Sequence, residues 1–293
     1  MRKYFILFCV ALSIGLQAQI QQNINKPSGT VSNAIAEIDS ILFNTGSAEM
    51  QIVLVGGNTV VHQLGDIDNV TFNTLSSPGN HTCGVPEIHN TALTYGSMTD
   101  QQGNDYKTIV IGTQEWMAEN LKTSVYRNGD AIAKITSNST WANITSGATC
   151  WMNNDSLANA CPYGRIYNRF AVADPRGLCP SGWHVPSDQE FSTLSSSLGG
   201  SVLAGGKLKS TSTLWQSPNS NAVNLSGFSA LPAGSRVFNN GTFSSTGTQG
   251  YWWSSTNYIS NLNYYYALLF NDGSFVRDFV DENYGFSVRC IKD

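Results

Sequence analysis

Charged residues are scarce in this sequence. Only 12% of its 293 residues are charged, and the formal net charge is -4 at pH 7. Such a chain has no basic stripe for nucleic acid or anionic lipid, so we predict no nucleic-acid partner. Long apolar runs are also lacking, because nothing beyond the N-terminus approaches the ~20 apolar residues that a membrane-spanning helix needs. We therefore predict no membrane span.

Several motifs that carry well-defined chemistry are missing as well. The sequence has no C-x-x-C pair, no G-x-S-x-G and no D-x-D-x-D-G loop, and its 4 histidines stand at no metal-ligand spacing. We interpret His184, just before a helix cap, as a structural residue rather than a catalytic base. The adjacent Asp281 and Glu282 are more simply a solvated turn than a glycosidase pair. The sequence predicts a protein that is not an enzyme, with no catalytic residue and no assigned metal ligand.

The N-terminus has the pattern of an export signal. Arg2 and Lys3 precede an apolar run over residues 4–12, and small or polar residues follow around Ala18. This order of basic, apolar and small residues is typical of a secretory signal peptide. We predict a signal over residues 1–18 and a protein that is secreted or held at the cell surface.

Five cysteines lie beyond this signal, and in an exported chain they are expected to form disulfides. Cys150 and Cys161 flank a short polar loop, and Cys179 and Cys290 would join the start of the main domain to its last strand. We predict these two pairs. Cys83 is then the odd residue, which is either free or displaces a partner from one of the pairs.

Residues 19–75 contain an internal repeat. The segment EIDSILFNT, starting at Glu37, matches DIDNVTFNT, starting at Asp66, and the intervening MQIVLVGGNTVVHQL has two apolar runs joined by a glycine turn. That pattern is typical of a β-hairpin. We predict a small β-rich unit and favour a packing or spacer role over a separate docking role. Residues 76–94, rich in turn-forming residues, are predicted to be a linker.

The rest of the chain alternates short strands with few helices. We predict a strand over residues 106–111 and a helix that begins at Ser187, with Glu190 at the capping-box spacing. A second helix is expected around residues 204–210. Asp272 and Gly273 predict a hairpin with a tight turn.

An ordered series of motifs over residues 95–293 carries a family resemblance. It includes YKTIVIGTQEWMAENLKT, CWMNND, YGRIYNRFAV, GLCPSGWHVPSDQEFSTL, LSGFSALPAGSR, GYWWSST and YGFSVRCIKD. The series resembles the Fibrobacter succinogenes major paralogous domain of exported bacterial proteins. Parts of it are similar to formylglycine-generating enzymes and to the wider C-type lectin-like fold. This resemblance implies an α+β domain, with a twisted antiparallel sheet, a few short helices, long loops and paired first and last strands.

The resemblance bears on both chemistry and ligand binding. Formylglycine-generating enzymes are copper oxidases that use two neighbouring cysteines in the C-terminal part of the domain, whereas this region offers only Cys290. That departure argues against an oxidase. C-type lectins often bind calcium through loop oxygens, but the Glu-Pro-Asn and Trp-Asn-Asp signatures are missing. We predict no cofactor and keep a structural calcium ion as the open alternative.

The candidate ligand-binding residues are aromatic or amide side chains. They are Trp252, Trp253, Asn257, Tyr258, Asn261 and Tyr264. Side chains on a strand alternate between faces, so one tryptophan is expected in the core and the other outside. The loop over residues 257–263 is expected to be free surface, with Tyr and Asn serving as rigid rings and adaptable hydrogen-bonding groups. The alternative is that Tyr264 and Tyr266 merely alternate along a strand.

These observations favour a binding module whose partner is a glycan or a surface protein. The runner-up is a structural or assembly component of a surface complex, and an enzyme related to formylglycine-generating oxidases ranks third. A contiguous exposed aromatic patch would favour the binding module. A buried pair of reactive groups in a deep pocket would favour an enzyme.

Overall fold

A computed structural model describes residues 20–26, 29–34, 38–44, 49–54, 59–63, 69–74 and 79–293. The predicted signal segment lies outside these residues. The chain divides into two compact units, residues 1–75 and 76–293. No helix in the described part of the chain is long and apolar enough to cross a membrane.

The first unit consists of short antiparallel strands. They are β1 (Ile20–Lys26), β2 (Gly29–Ala34), β3 (Ile38–Asn44), β4 (Glu49–Leu54), β5 (Thr59–Gln63) and β6 (Asn69–Thr74). The sheet orders are β2-β1-β6 and β3-β4-β5. The predicted hairpin corresponds to the antiparallel pair β4 and β5, although its glycine turn lies outside the described residues. The two copies of the sequence repeat form β3 and β6, each at an edge of its sheet.

The second unit mixes strands with short helices. Its strands are β7 (Gly96–Thr99), β8 (Asp105–Ile111), β9 (Gln114–Met117), β10 (Ala133–Lys134), β11 (Ala148–Trp151), β12 (Arg165–Tyr167), β13 (Trp183–His184), β14 (Ser235–Arg236), β15 (Phe243–Ser244), β16 (Gln249–Ile259), β17 (Leu262–Leu269), β18 (Val276–Asp281) and β19 (Ile291–Lys292). Its helices are α1 (Asn138–Asn143), α2 (Ser156–Tyr163), α3 (Arg169–Val172), α4 (Asp188–Ser197) and α5 (Ser201–Leu208), with a 3₁₀ turn over Met152–Asn154.

Two antiparallel sheets organise this unit. One has the strand order β13-β19-β9-β8-β7, and the other has the order β16-β17-β18. Ile291 of β19 pairs with Trp116 of β9, so a strand from the end of the sequence joins strands from the start of the unit. Apart from the parallel pair β10 and β11, the paired strands described in this unit are antiparallel. The predicted α+β class is confirmed, with mostly antiparallel sheets and few short helices.

Helix α4 begins as its sequence predicts. The Ser187 hydroxyl accepts a hydrogen bond from the Glu190 backbone N–H, and the Glu190 carboxylate accepts one from the Ser187 N–H, which completes a capping box. Phe191 and Leu194 form its buried face. The helix ends before Gly199–Gly200, where both glycines have positive φ, so the chain reverses directly into α5. Helix α5 therefore begins a few residues before the predicted position.

The hairpin between β17 and β18 is present, but its connection is wider than the tight turn predicted at Asp272 and Gly273. The last paired residues are Ala267 and Val276. The loop between them closes over the ammonium group of Lys209, which donates to the backbone carbonyls of Leu269 at 2.9 Å and Asp272 at 2.8 Å. A buried cation needs such acceptors, and a tight turn would not place them around it.

Residues 76–94 are predicted to be a linker, but the part of this segment that the structure describes is packed rather than free. His81, Ile88 and His89 are buried in the second unit. The His89 backbone N–H also donates to the carbonyl of Gly79 at 2.8 Å, which folds the segment on itself. The turn-forming residues therefore shape a compact, packed loop, because turns alone do not reveal whether a segment is buried.

One of the two predicted disulfides is wrong. Cys179 pairs with Cys290 as predicted, with Cα atoms 6.0 Å apart. Cys161 pairs with Cys83 instead of Cys150, with Cα atoms 5.9 Å apart, so Cys83 displaces the predicted partner. Cys150 lies in β11 with its side chain buried in the cluster around Trp141. Burial raises the pKa of the Cys150 thiol to about 11, because the thiolate would lose its hydration.

Candidate functional site

Trp252 and Trp253 are both fully buried. Trp252 packs against Phe228 in one core cluster, and Trp253 packs against Phe286 in the other. The indole N–H of Trp252 donates to the Oδ1 atom of Asn120 at 3.0 Å. Their alternation between faces is as predicted, but the exposure predicted for one of them is wrong because core packs on both faces of β16. Neither ring is available to a ligand.

The residues predicted as a free loop, 257–263, are mostly strand. β16 runs on to Ile259, and β17 resumes at Leu262 after a turn at Ser260 and Asn261. The pairing register shifts between Trp253 and Asn257, as it does at a β-bulge. A bulge re-aims the side chains that follow it. The outer part of the hairpin is exposed, including the predicted site residues Asn257, Tyr258 and Asn261.

Three aromatic rings meet on this sheet, and we call Tyr258, Tyr264 and Phe279 the aromatic face. The rings of Tyr258 and Phe279 stack, with centroids 4.2 Å apart and planes inclined by 15°. Tyr264 meets Tyr258 edge-on at 5.3 Å and pairs across the strands with Phe279. Tyr258 remains 42% exposed and Phe279 40%. Large apolar rings are thus presented together to solvent by three hydrogen-bonded strands.

An ion pair holds one side of the aromatic face. Arg277 lies over the Tyr264 ring at 3.9 Å and donates two hydrogen bonds to the Asp188 carboxylate, at 2.6 and 2.9 Å. The hydrogen bond from Arg277 lowers the pKa of Asp188, which keeps this carboxylate charged. Sequence reasoning missed Arg277 and Phe279, although their spacing of two residues on one strand places both on the same face.

A second arginine binds two amide oxygens in the region where loop oxygens could hold the structural calcium ion kept as an alternative. The guanidinium of Arg169 donates to Oδ1 of Asn257 at 2.5 Å and to Oδ1 of Asn263 at 2.7 Å. Asn263 is 1% exposed, so this cation is part of the packed structure. A calcium ion at the same oxygen atoms would compete with the guanidinium charge, and the arrangement therefore does not fit calcium there.

A buried polar cluster surrounds Glu119 near the N-terminal end of the second unit. The carboxylate lies 3.0 Å from Nε2 of His89 and accepts hydrogen bonds from the backbone N–H of Thr82 at 2.8 Å and its hydroxyl at 2.6 Å. Nδ1 of His89 lies 3.1 Å from the Ser229 hydroxyl oxygen. A serine, a histidine and a carboxylate in hydrogen-bonding order is an arrangement that hydrolases use.

This cluster lacks the access that a hydrolase needs. Ser229 is fully buried, and its hydroxyl also interacts with Asn224 at 3.1 Å, so this hydroxyl is not exposed to a substrate from solvent. We interpret the cluster as a buried network whose groups satisfy one another. No spacing in the sequence indicates it, because its members come from three distant segments.

Next to this cluster, the His81 side chain lies close to the sulfur atoms of Cys83 and Cys161, but these three residues do not form a metal site. Ligand atoms of His81, Cys83 and Cys161 lie within 4.8 Å of one another. Both sulfur atoms belong to a disulfide, whereas the thiolate is the form of cysteine that binds metals. The oxidised protein therefore does not present two sulfur ligands at this place.

The two buried histidines predict loss of stability in acid. Burial lowers the pKa of His81 from 6.5 to about 3, and it also lowers the pKa of His89. Below pH 6.5 these histidines bind protons more readily in the unfolded chain than in the folded chain, so the free energy of unfolding decreases as pH falls. For His81 alone, the free energy of unfolding should be about 2 kcal/mol lower at pH 5 than at pH 7. Urea unfolding at both pH values measures this difference.

Two variants isolate the histidine contribution. His81→Asn keeps an acceptor near the Nδ1 position but cannot be protonated, so the loss between pH 7 and pH 5 should shrink. His184→Gln is the control of opposite sign. Partial burial lowers the pKa of His184, but hydrogen bonds to Asp293 and Glu190 outweigh it and raise that pKa, so its contribution is lost as pH rises. An unchanged pH dependence in His81→Asn would contradict the explanation.

Comparison with known proteins gives one match. A family model described as the Fibrobacter succinogenes major domain matches residues 109–292. No curated protein matches the chain. No solved structure matches it either.

Proposed function

Because the chain belongs to the Fibrobacter succinogenes major domain family, a name that states neither ligand nor reaction, we propose its function from geometry. The protein is an exported, non-enzymatic binding module that recognises a glycan through the aromatic face. The observation that carries this proposal is the stacked pair Tyr258 and Phe279, 42% and 40% exposed on ordered strands. Clustered aromatic rings at a surface are typical of recognition sites rather than of an inert exterior.

The chemistry around the rings suits a glycan. A sugar offers C–H groups on its ring faces and hydroxyl groups at its edges. The parts of the Tyr258 and Phe279 rings that their mutual stacking leaves exposed match the former, while the tyrosine hydroxyl, the exposed amide of Asn261 and the amide nitrogen of Asn257 match the latter. The strands already hold the rings in place, so little conformational entropy is lost when a ligand binds.

Two further features support the wider proposal. The Cys83–Cys161 and Cys179–Cys290 disulfides fit an exported protein, because disulfides persist in oxidising compartments. The pairing of β19 with β9 agrees with the joined first and last strands of a C-type lectin-like domain, and we propose that architecture for the second unit. The aromatic face then lies on the sheet formed by β16, β17 and β18.

Substitutions in the aromatic face should abolish recognition without unfolding the protein. Tyr258→Ala and Phe279→Ala each remove one stacked ring, and the glycan affinity of each variant should fall about tenfold or more. Binding is measured first on a glycan array and then by calorimetry with a glycan that it identifies. Adding or removing calcium should not change the affinity, because Arg169 already binds the amide oxygens.

The matched control is Phe238→Ala. The Phe238 ring lies 5.1 Å from the Tyr284 ring, with the two planes inclined by 31°, and it lies outside the aromatic face, so its loss should leave the affinity unchanged. Circular dichroism shows whether each variant is folded. Unchanged glycan binding in folded Tyr258→Ala and Phe279→Ala would refute the role of the aromatic face. Binding of a surface protein but no glycan would favour the other partner class.

A further inference from the structure

A cavity of about 400 Å³ lies beside the Cys83–Cys161 disulfide, on elements that do not carry the aromatic face. Polar and aromatic side chains line it: Gln102, Asn104, Lys122, Ser124, Trp151 and Arg165. Its volume falls within the range of about 300–1,000 Å³ that small-molecule sites occupy. Among the described residues, none that lines this cavity is acidic, although the chain as a whole is negatively charged.

The two cations that line the cavity have no carboxylate partner. Among the residues that the structure describes, no carboxylate oxygen lies within 4 Å of the Lys122 ammonium or the Arg165 guanidinium. Lys122 donates to the Thr82 hydroxyl at 3.3 Å and the Asp105 carbonyl at 3.2 Å, and its ammonium lies 4.7 Å from the centroid of the Tyr106 ring. Neither cation is in direct contact with a carboxylate, although Glu119, Asp100 and Asp105 attract Lys122 at longer range, so the contact position is open to an anion from outside.

Arg165 is held so that part of its guanidinium is left without a partner. Its Nε–H donates to the Lys122 backbone carbonyl at 3.0 Å, and its plane lies 3.9 Å from the centroid of the Trp151 ring. Its Nη1 atom is buried and has no hydrogen-bond partner in the described part of the chain. Burial lowers the pKa of both Arg165 and Lys122, since each cation loses hydration. A bound anion would restore favourable interactions to both.

The remaining lining groups indicate what the anion is attached to. Ser124 contributes a hydroxyl that accepts from Nε2 of Gln102 at 3.0 Å, and Asn104 contributes an amide whose nitrogen donates to the Asp100 carboxylate at 2.9 Å. These groups can offer only their remaining hydrogen-bonding capacity to a ligand, and Trp151 contributes an indole ring. Hydroxyl and amide groups hydrogen-bond to hydroxylated molecules, and an indole packs against the apolar side of a ring. A simple inorganic anion would use the two cations but not these groups.

We propose that this cavity binds a small acidic sugar, a hydroxylated ring that bears a carboxylate or a phosphate. Lys122 and Arg165 bind the anionic group, because a planar guanidinium donates paired hydrogen bonds to such groups. Gln102, Asn104 and Ser124 bind the hydroxyl groups, and Trp151 packs beside the ring. This site is separate from the aromatic face, and it does not depend on the glycan proposed there.

Calorimetry on the full mature protein, with three probes, tests the proposal. Sodium glucuronate, glucose 6-phosphate and glucose are each titrated into the protein at low ionic strength. At least one acidic sugar should bind about tenfold or more tightly than glucose, and the stronger of the two identifies the anionic group. Binding should weaken as sodium chloride is added, because salt screens the two cations. Equal affinity for glucose, or binding of neither acidic sugar, would overturn the proposal.

Substitutions locate the binding in the cavity. Arg165→Gln and Lys122→Gln should each weaken binding of the acidic sugar about tenfold or more. Arg176→Gln is the matched control, since Arg176 also lies over an aromatic ring, that of Tyr126 at 4.0 Å, but does not line the cavity. Unaltered affinity in a folded Lys122→Gln or Arg165→Gln variant would contradict the assignment. If Arg165→Gln fails to fold, Lys122→Gln and the salt dependence of the unaltered protein still test whether the acidic sugar binds in the cavity.

Tyr258→Ala separates the two sites. This substitution should leave binding of the acidic sugar unchanged, because Tyr258 does not line the cavity. If Tyr258→Ala abolished it, the acidic sugar would bind at the aromatic face, and the cavity assignment would be wrong. Loss of array glycan binding with retained acidic-sugar binding would show two independent sites.

Discussion

Replacing both Cys179 and Cys290 by alanine is expected to lower the free energy of unfolding by about 5 kcal/mol. The disulfide joins residues 111 positions apart, and in the chain-entropy model a closed loop of that size restricts the unfolded chain by about this amount. Since many proteins are stable by only about 5–15 kcal/mol, the variant should be near its unfolding midpoint at moderate temperature. Urea unfolding of the two proteins measures the difference.

Cys150→Ala is the matched control, because Cys150 is also a buried cysteine but forms no disulfide. It removes one sulfur atom from the Trp141 cluster and should cost only about 1 kcal/mol. Mass spectrometry of unreduced peptides should recover Cys83 linked to Cys161. The Cys83–Cys161 pairing would be contradicted by a peptide that links Cys150 to Cys161, together with a decrease in the free energy of unfolding of Cys150→Ala as large as that of the double variant.

Arg289→Met is the second substitution with a large expected effect, a loss of about 3–5 kcal/mol in the free energy of unfolding. Arg289 is 1% exposed and donates to the carbonyls of Phe228 and Ser229 and, at 2.9 Å, to Oδ1 of Asn120. Methionine fills similar space, but it removes the donor to the buried Phe228 and Ser229 carbonyls, at a cost of about 1–3 kcal/mol each, whereas Asn120 keeps the hydrogen bond from Trp252. Burial lowers the pKa of Arg289 to about 9, because the guanidinium loses its hydration.

Arg176→Met provides the comparison. Arg176 pairs with Asp130 and Asp174 at the surface, where solvent screens the charges, so its replacement should have little effect. Thermal unfolding followed by circular dichroism compares the two variants with the unaltered protein. Similar unfolding temperatures for Arg289→Met and the unaltered protein would show that the core network contributes little to stability.

Features of the fold set by neighbouring residues were predictable. The capping box of Ser187 and Glu190, the strand before Gly112 and the β4–β5 hairpin each depend on chemistry within a few positions. The partner of Cys161 was not predictable, because it depends on where a distant segment packs. The exposure predicted for one of Trp252 and Trp253 was wrong for the same reason, because alternation gives the face of a strand but not what covers that face.

The residues of the candidate sites likewise include some that the sequence identifies and others that only the packed structure brings together. Tyr258 and Tyr264 were identified from composition, and Phe279 joins them only through strand pairing with Tyr264. The cavity brings Lys122, Trp151 and Arg165 together from three segments, and no spacing in the sequence indicates this. Charge and aromatic content can be counted in a sequence, but which cations lack counter-ions depends on the packed structure.

Strand β16 combines two different tasks along its length. Its inner residues, including Trp252 and Trp253, are packed in the core on both sides, while its outer residues, including Tyr258 and Ile259, face solvent. Mutation can therefore change the outer side chains at little cost in stability, because the inner half already determines where the backbone lies. A scaffold of this kind can acquire new ligands by altering a few side chains at one end of a strand, without inserting or deleting residues.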